Sequence, residues 1–339
     1  MGTQPLASSR ADQRRFVDRT RESDAIIRAV GAGQPVLVLG ERGSGRTSLL
    51  NHVAWRLGRG PEPQDMALVS GELAGSASQL LGVLVARVHR LVEPDGSRTR
   101  WLEDLRVLSM PDGPFGQVAQ PAILMELVDL LGERIAAAER PVCLMVDGVS
   151  PAVAHELFGS LRNELWALPS ANWVVAGDSA GEALYLEPPA DAFFEHTIRL
   201  GALSDADAAK LVRAHLPGLG AGEVKRAVTA GEGNPRRLLR AAQDIQAGVE
   251  PSGRRVGEIA QRAASIGGPL AGTLVGYLAE HGPAAASDPG LLREIGASRQ
   301  RASQLMHELE SAGLLETIDW HQPGRRGRPA RRFALRTPA

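Results

Sequence analysis

The sequence predicts an α/β protein in which a parallel sheet with helices on both faces precedes a helical region and a small C-terminal domain. Short apolar runs alternate with amphipathic segments from residue 16 to residue 200, as in sheets that are buried on both sides. The strand pattern stops near Gly201, where helical segments take over. The expected parts are a flexible arm (1–15), an α/β core (16–200), a helical lid (201–250) and a C-terminal domain (256–339).

The core begins with an amphipathic segment and then alternates strands with helices. We expect strands at residues 36–39, 67–70, 142–147, 173–176 and 197–200, and helices at residues 48–57, 78–92, 122–138 and 152–165. Residues 93–120 carry several Gly and Pro and predict an insert or a mobile loop. The lid should contain helices at residues 205–216, 221–229 and 236–247.

A glycine-rich turn joins the first strand to the helix after it. Its residues are Gly40, Glu41, Arg42, Gly43, Ser44, Gly45, Arg46 and Thr47, and Ser48 comes next. The glycines let backbone N–H groups converge on a phosphate, and the helix N-terminus adds its positive dipole end. Between a strand and a helix, this pattern is the Walker A loop of P-loop NTPases, so we expect ATP or ADP as the ligand.

Two further residues complete the predicted nucleotide site. Asp147 ends the most apolar strand and, with the hydroxyl of Thr47, is placed to hold Mg²⁺. Asp178 ends the next strand, where it could sense the γ-phosphate or simply face solvent. The sequence therefore predicts Thr47 and Asp147 as the metal site.

Residues 233–236, Gly-Asn-Pro-Arg, lie in the predicted lid and resemble the sensor-2 motif of AAA+ ATPases. Residues 16–19, Phe-Val-Asp-Arg, are similar to an opening segment of two AAA+ branches, the origin-recognition and replication-initiator ATPases and the STAND-type signalling ATPases. The resemblance implies that Arg236 reaches the phosphates and that a winged helix follows the lid, as in initiators. Asp18 replaces the family glycine, which leaves adenine contacts from that segment open.

Three features that such ATPases use for hydrolysis are altered. Arg46 replaces the loop lysine and keeps its charge but not its compact ammonium, although an arginine-rich composition also explains it. Gly148 stands where a second carboxylate would orient the attacking water. Residues 180–197, where an arginine finger is expected, contain no Arg or Lys. We therefore expect slow hydrolysis or none, and we assign no catalytic residue.

The C-terminal domain carries a helix-turn-helix pattern. A short capped helix leads to Ile295, Gly296 makes the turn, and Ser298 caps a second helix. One stripe of that helix is apolar, and the opposite face carries side chains suited to bases and phosphates. The latter are Arg299, Gln300, Ser303, Gln304 and His307.

Two predicted strands, residues 314–318 and 332–335, follow and complete a winged helix. The segment between them is strongly basic, with Arg325, Arg326, Arg328 and Arg331, and contains an Arg-Gly-Arg-Pro sequence suited to a narrow minor groove. The sequence thus predicts double-stranded DNA as a partner. A basic loop on a protein-binding winged helix is the alternative.

Composition limits the other possibilities. The formal net charge is −1, so attraction to DNA must come from local clusters. The single cysteine, Cys143, excludes an internal disulfide. With no signal peptide or membrane span, we expect a cytoplasmic, nucleoid-associated protein.

Three hypotheses remain open. The favoured one is a nucleotide-switched DNA-binding protein, alone or as a homo-oligomer. The others are an active DNA-associated ATPase and a scaffold with a dead nucleotide site that binds a protein partner.

Overall fold

The computed structural model describes residues 5–7, 9–72, 74–93, 120–249, 253–320 and 330–336. These residues form two compact units. The first contains the described residues up to Val228 together with Glu232–Arg240, and the second contains Thr229–Gly231 and the described residues from Ala241 onward. Most of the predicted insert, and Arg325, Arg326 and Arg328 of the basic segment, lie outside the described residues. The bounds of the four predicted parts remain predictions.

The first unit contains a five-stranded parallel sheet in the order β2-β3-β4-β1-β5. The strands are β1 (Val36–Gly40), β2 (Asp65–Ser70), β3 (Val142–Asp147), β4 (Ala171–Asp178) and β5 (His196–Leu200). Successive residues of β1 pack into different cores, Leu37 and Leu39 on one face and Val36 and Val38 on the other. This burial on both faces is why the strands are continuous apolar runs, and it confirms the predicted α/β class.

Helices cover both faces of this sheet. They are α1 (Arg10–Gln13), α2 (Thr20–Gly31), α3 (Arg46–Leu57), α4 (Ala77–Val92), α5 (Gln120–Ala136), α6 (Pro151–Ala154), α7 (Arg162–Trp166) and α8 (Glu182–Tyr185). The predicted helical segment 152–165 is helical, but it contains a π-helical stretch, His155–Ser160, that separates α6 from α7. Three helices follow the sheet, α9 (Asp205–His215), α10 (Ala221–Gly231) and α11 (Pro235–Gln246).

The N-terminal segment lies against helix α3. The N–H of Leu6 donates to Oγ of Ser48 at 3.1 Å, and Oε1 of Gln13 is 2.5 Å from Nδ1 of His52. The ring of Phe16 stacks on His52 with 4.0 Å between the centroids. The described part of the predicted flexible arm therefore makes specific contacts.

Besides the ends of α10 and α11, the described part of the second unit contains four helices and a two-stranded antiparallel sheet. The elements are α12 (Gly253–Gly267), α13 (Pro269–His281), α14 (Pro289–Ile295), α15 (Arg299–Ser311), β6 (Leu315–Trp320) and β7 (Ala330–Leu335). A bridge from Ala284 to Phe333 adds one pair to the sheet. The helices precede the two strands, in the order that the sequence predicts, and the winged helix itself stays a prediction. Helix α12 begins at Gly253, between the predicted end of the lid at residue 250 and the predicted start of the C-terminal domain at residue 256.

Helix α15 packs on the others through the predicted stripe, Ala302, Leu305, Met306 and Leu309, all fully buried. Asp288 caps α14 by accepting from the N–H groups of Gly290 and Leu291. Gly296 ends α14 with φ 60° and makes the turn to α15. Across the described ranges, no helix is long and apolar enough to span a membrane.

Candidate nucleotide site and helix-turn-helix surface

Four neighbouring strands of the sheet bring polar groups to their carboxyl ends. In the strand registers, Gly40 lies opposite Asp178 and Ser70 lies opposite Asp147. Because all strands are parallel, the glycine-rich turn, Asp147 and Asp178 meet at one edge of the sheet. Such an edge is where parallel sheets bind their ligands.

The glycine-rich turn adopts the backbone conformation that its sequence predicts. Gly43 and Gly45 have φ values of 83° and 97°, which side chains other than glycine rarely adopt. Helix α3 starts at Arg46, so the first N–H groups of its initial turn have no partner within the helix. The side chain of Ser44 turns back toward Gly40, where a Cβ would lie 2.5 Å from its Oγ. This turn can present backbone N–H groups to an anion.

Thr47 and Asp147, the predicted metal site, contact each other directly. Oγ1 of Thr47 donates to Oδ2 of Asp147 at 2.5 Å. Burial raises the pKa of Asp147, the hydrogen bond from Thr47 and the charge of Arg46 lower it, and the charge of Glu72 raises it further. One carboxylate and one hydroxyl suit Mg²⁺ when phosphate oxygens supply other ligands. The described residues contain no group of three or more His, Cys, Asp or Glu that could hold a metal by themselves.

Arg46 points into the site and is largely buried, with 14% of its side chain exposed. Its Nη2 lies 3.8 Å from Oδ2 of Asp178, whose other oxygen accepts from the N–H of Ala180 at 3.0 Å. Buried Nη1 of Arg46 and Oγ of Ser44 have no hydrogen-bond partner among the residues that the structure describes. Buried polar atoms are rarely left unsatisfied, so these two atoms indicate a place for an anionic group.

The start of helix α11 rests on the glycine-rich turn. The N–H of Arg236 donates to the carbonyl of Gly43 at 3.2 Å, and a Cβ on Gly43 would lie 2.9 Å from Cβ of Arg236. The Nδ2 of Asn234 donates to the carbonyl of Arg42 at 2.9 Å. The sequence analysis gave Asn234 no role, although it is buried at 3% exposure and ties the motif to the loop. Arg236 is thus next to the turn, and its role at the phosphates stays a prediction.

Glu72 is the second residue that sequence reasoning missed. It follows the end of β2, and its side chain covers Gly148, where a Cβ would lie 2.6 Å from Cγ of Glu72. Gly148 has φ 74°. Only the pairing of β2 with β3 brings these positions together, and no motif in the sequence relates them.

The predicted polar face of α15 is exposed in the second unit. Arg299, Gln300, Ser303, Gln304 and His307 line a shallow depression that is open to solvent. His307 also has internal contacts, since its Nδ1 lies 3.2 Å from Oε2 of Glu310 and its ring meets Phe333 edge-on. Arg331, on β7, is exposed as well.

Comparison with solved structures identifies the fold. The ORC1 protein of Aeropyrum pernix, solved in complex with DNA, is 16% identical with a TM-score of 0.50, over 94% of this chain and 89% of that one. The ORC2 protein of the same organism, solved as ADPNP–ADP complexes, is 13% identical with a TM-score of 0.47, over 94% and 90%. The RuvB Holliday junction branch migration motor of Thermotoga maritima is 13% identical with a TM-score of 0.43, over 93% of each chain.

No protein-family model and no curated protein matches the sequence. The likeness to ORC1 extends over nearly the whole of both chains, and at 16% identity it concerns the fold. The resemblance to STAND-type ATPases stays a prediction. This chain therefore shares the fold of ORC1, and the parallel α/β architecture that its sequence predicts is confirmed.

Proposed function

We propose that this protein binds ATP or ADP with Mg²⁺ in its first unit and double-stranded DNA through its second, with the nucleotide acting as a conformational switch. The observation that carries the proposal is the buried, unpartnered pair of atoms at the glycine-rich turn, Nη1 of Arg46 and Oγ of Ser44. A phosphate bound by the N–H groups of the turn would satisfy them.

The proposed ligands of the nucleotide follow from the contacts in the site. Residues 40–48 and Arg236 would hold the phosphates, Thr47 and Asp147 the Mg²⁺, and Asp178 would sense the γ-phosphate through its ion pair with Arg46. A switch needs only a difference in nucleotide affinity between two conformations, so it does not depend on fast turnover.

We propose that hydrolysis is slow. Arg46 replaces the usual lysine, and the loss of an arginine finger alone costs about 10³–10⁵ in rate. Arg199, the first basic residue after the empty stretch, lies on β5 and pairs with Glu182, with 2.8 Å between its Nε and Oε1. Arg199 is the arginine nearest to the expected position of the arginine finger, and its side chain is engaged in this ion pair.

For DNA we propose the exposed face of α15 as the major-groove surface, with Arg325, Arg326, Arg328 and Arg331 of the wing as minor-groove and phosphate contacts. The exposure of Arg299 and Gln300 supports this choice. ORC1, which shares the fold, was solved in complex with DNA. A cytoplasmic location on the nucleoid, and assembly as a homo-oligomer, belong to this proposal.

The test is the fluorescence anisotropy of a labelled duplex, titrated with the protein at two salt concentrations without nucleotide, with ADP and with ATP–Mg²⁺. We expect binding that weakens with salt and changes with the nucleotide. Arg299→Ala should weaken binding and lower the salt slope by about one unit if Arg299 contacts a phosphate. Arg213→Ala removes an exposed charge from the first unit and should change neither.

Two outcomes would contradict parts of the proposal. Salt-sensitive binding that ignores nucleotide would refute the switch and keep the DNA surface. Absence of binding at low salt would refute the DNA surface and favour the scaffold with a protein partner.

The second candidate function, an active DNA-associated ATPase, is favoured by the position of Glu72, whose side chain lies beside Gly148.

A further inference from the structure

The residue after Asp147 is glycine, so the chain offers no second carboxylate at that position. The structure places one there from the neighbouring strand. A Cβ on Gly148 would lie 2.6 Å from Cγ and 3.2 Å from Oε1 of Glu72. We propose that Glu72 is the second carboxylate of the nucleotide site and the base for ATP hydrolysis. This inference rests on the proposed nucleotide binding and adds a hydrolytic residue to it.

Strand pairing fixes the backbone that carries Glu72. β2 and β3 run in register as far as Ser70 and Asp147, and the N–H of Gly71 donates to the carbonyl of Asp147 at 2.7 Å. A Cβ on Gly71 would lie 2.8 Å from Cα of Val149, so the two backbones touch there. The residue that follows this contact is Glu72, which is therefore held beside Gly148.

The segment after Asp147 is held from the other side by Tyr185. The hydroxyl of this buried tyrosine donates to the carbonyl of Val149 at 2.5 Å. Its ring packs against Gly177, where a Cβ would lie 2.3 Å from Cζ. Gly148 thus lies in a fixed bend, while the side chain of Glu72 is exposed and can reach a water molecule.

The proposed step uses Glu72 as a general base. Its carboxylate accepts a proton from a water molecule as the oxygen of that water bonds to the γ-phosphorus of the nucleoside triphosphate. The bond from this phosphorus to the bridging oxygen breaks, and its electron pair leaves on the diphosphate. The proton then passes from Glu72 to bulk water. A general base contributes about 10²–10⁴ in rate, so hydrolysis would be slow yet depend on Glu72.

The test compares the full-length wild type with Glu72→Gln and Glu62→Gln. Glu62 is exposed before the opposite end of β2, so its variant removes the same charge away from the site. Single-turnover ATP hydrolysis, with Mg²⁺ and duplex DNA present, should fall about 10²–10⁴-fold in Glu72→Gln and stay unchanged in Glu62→Gln.

A binding measurement provides a readout that does not depend on turnover. Without the carboxylate, a non-hydrolysable ATP analogue should bind Glu72→Gln more tightly than wild type, because a negative charge near the γ-phosphate is removed. ADP, which has no γ-phosphate, should bind both proteins equally. A residue with only a structural role would not discriminate between the two nucleotides.

A carboxylate transfer tests the position itself. Glu72→Ala/Gly148→Glu removes the Cγ that a Cβ at position 148 would meet and restores an acid from the other strand. We expect it to recover part of the rate lost in Glu72→Ala. Wild-type rates in Glu72→Gln, an equal loss in Glu62→Gln, or ATP binding without any hydrolysis by the wild type would overturn the inference. If the wild type binds neither the analogue nor ADP, the proposed function itself fails.

Discussion

The candidate nucleotide site of the first unit and the α15 surface of the second differ in where their polar groups find partners. In the first, Thr47 donates to Asp147, and Asn234 donates to the carbonyl of Arg42. In the second, Arg299 and Gln300 stand in solvent on a surface supported only from below by the buried stripe of α15.

The two sites therefore depend on different parts of the structure, one on contacts within the site itself and the other on the core beneath it. The candidate nucleotide site depends on contacts between distant parts of the chain, so even a substitution that adds one methyl group should disturb it. The α15 surface depends on a buried core that does not touch its ligand. Changes in that core should act on DNA binding through stability, and changes in the surface through affinity alone.

The largest expected effect comes from the core of the second unit. Leu305→Ala removes a fully buried side chain and should destabilise that unit by about 2–5 kcal/mol. DNA binding should be lost at temperatures where nucleotide binding persists. Leu50→Ala, at a fully buried position of the first unit, should give the opposite pattern. Calorimetry measures the unfolding of each variant, and fluorescence anisotropy with labelled nucleotide and labelled duplex measures the two binding activities. Loss of both activities in both variants would show that the two units do not unfold independently.

A smaller effect is expected at the glycine-rich turn. Gly43→Ala combines φ 83° with a Cβ only 2.7 Å from Oδ1 of Asn234, and it should weaken nucleotide binding. Gly33→Ala is the matched control, because its φ is 72° and nothing lies within 4 Å of the added Cβ. Both variants should lose about 1–2 kcal/mol from the left-handed backbone, and Gly43→Ala more than Gly33→Ala. Equal nucleotide affinities for the two, measured by titration, would contradict the role of the contact between Gly43 and Asn234.

The smallest effect concerns pH and the N-terminal segment. Burial, followed by the charge of Arg56, lowers the pKa of His52 in the folded protein. A lowered pKa means that, as the pH falls, the unfolded chain takes up the proton at a higher pH than the folded protein does. The neutral His52 therefore contributes to the stability of the fold above the unfolded pKa of about 6.5, and this contribution is lost as the pH falls below that value. The melting temperature of His52→Gln should therefore differ less between about pH 8 and about pH 5.5 than the melting temperature of the wild type does. An unchanged difference would contradict the lowered pKa of His52 in the folded protein.

The sheet and the conformation of the glycine-rich turn could be predicted because each depends on residues that are close in sequence. β3, for example, is a continuous apolar run that ends in Asp147, and the glycines at 43 and 45 mark their own backbone conformation. Glu72 could not be predicted, since its role depends on the register between β2 and β3. The π-helical segment at His155–Ser160 also escaped, because the helical periodicity of the sequence does not encode the extra residue in the turn.

The crowding at Gly148 also constrains how this sequence can evolve. A single change of Gly148 to glutamate, which would rebuild the carboxylate pair along β3, meets both an unfavourable φ of 74° and the Cγ of Glu72 at 2.6 Å. Replacing Glu72 first would remove the contact with its Cγ but not the unfavourable φ, and that intermediate carries neither acid. If Glu72 is the base that we propose, a variant without either acid separates the two arrangements, and a single substitution cannot convert one into the other.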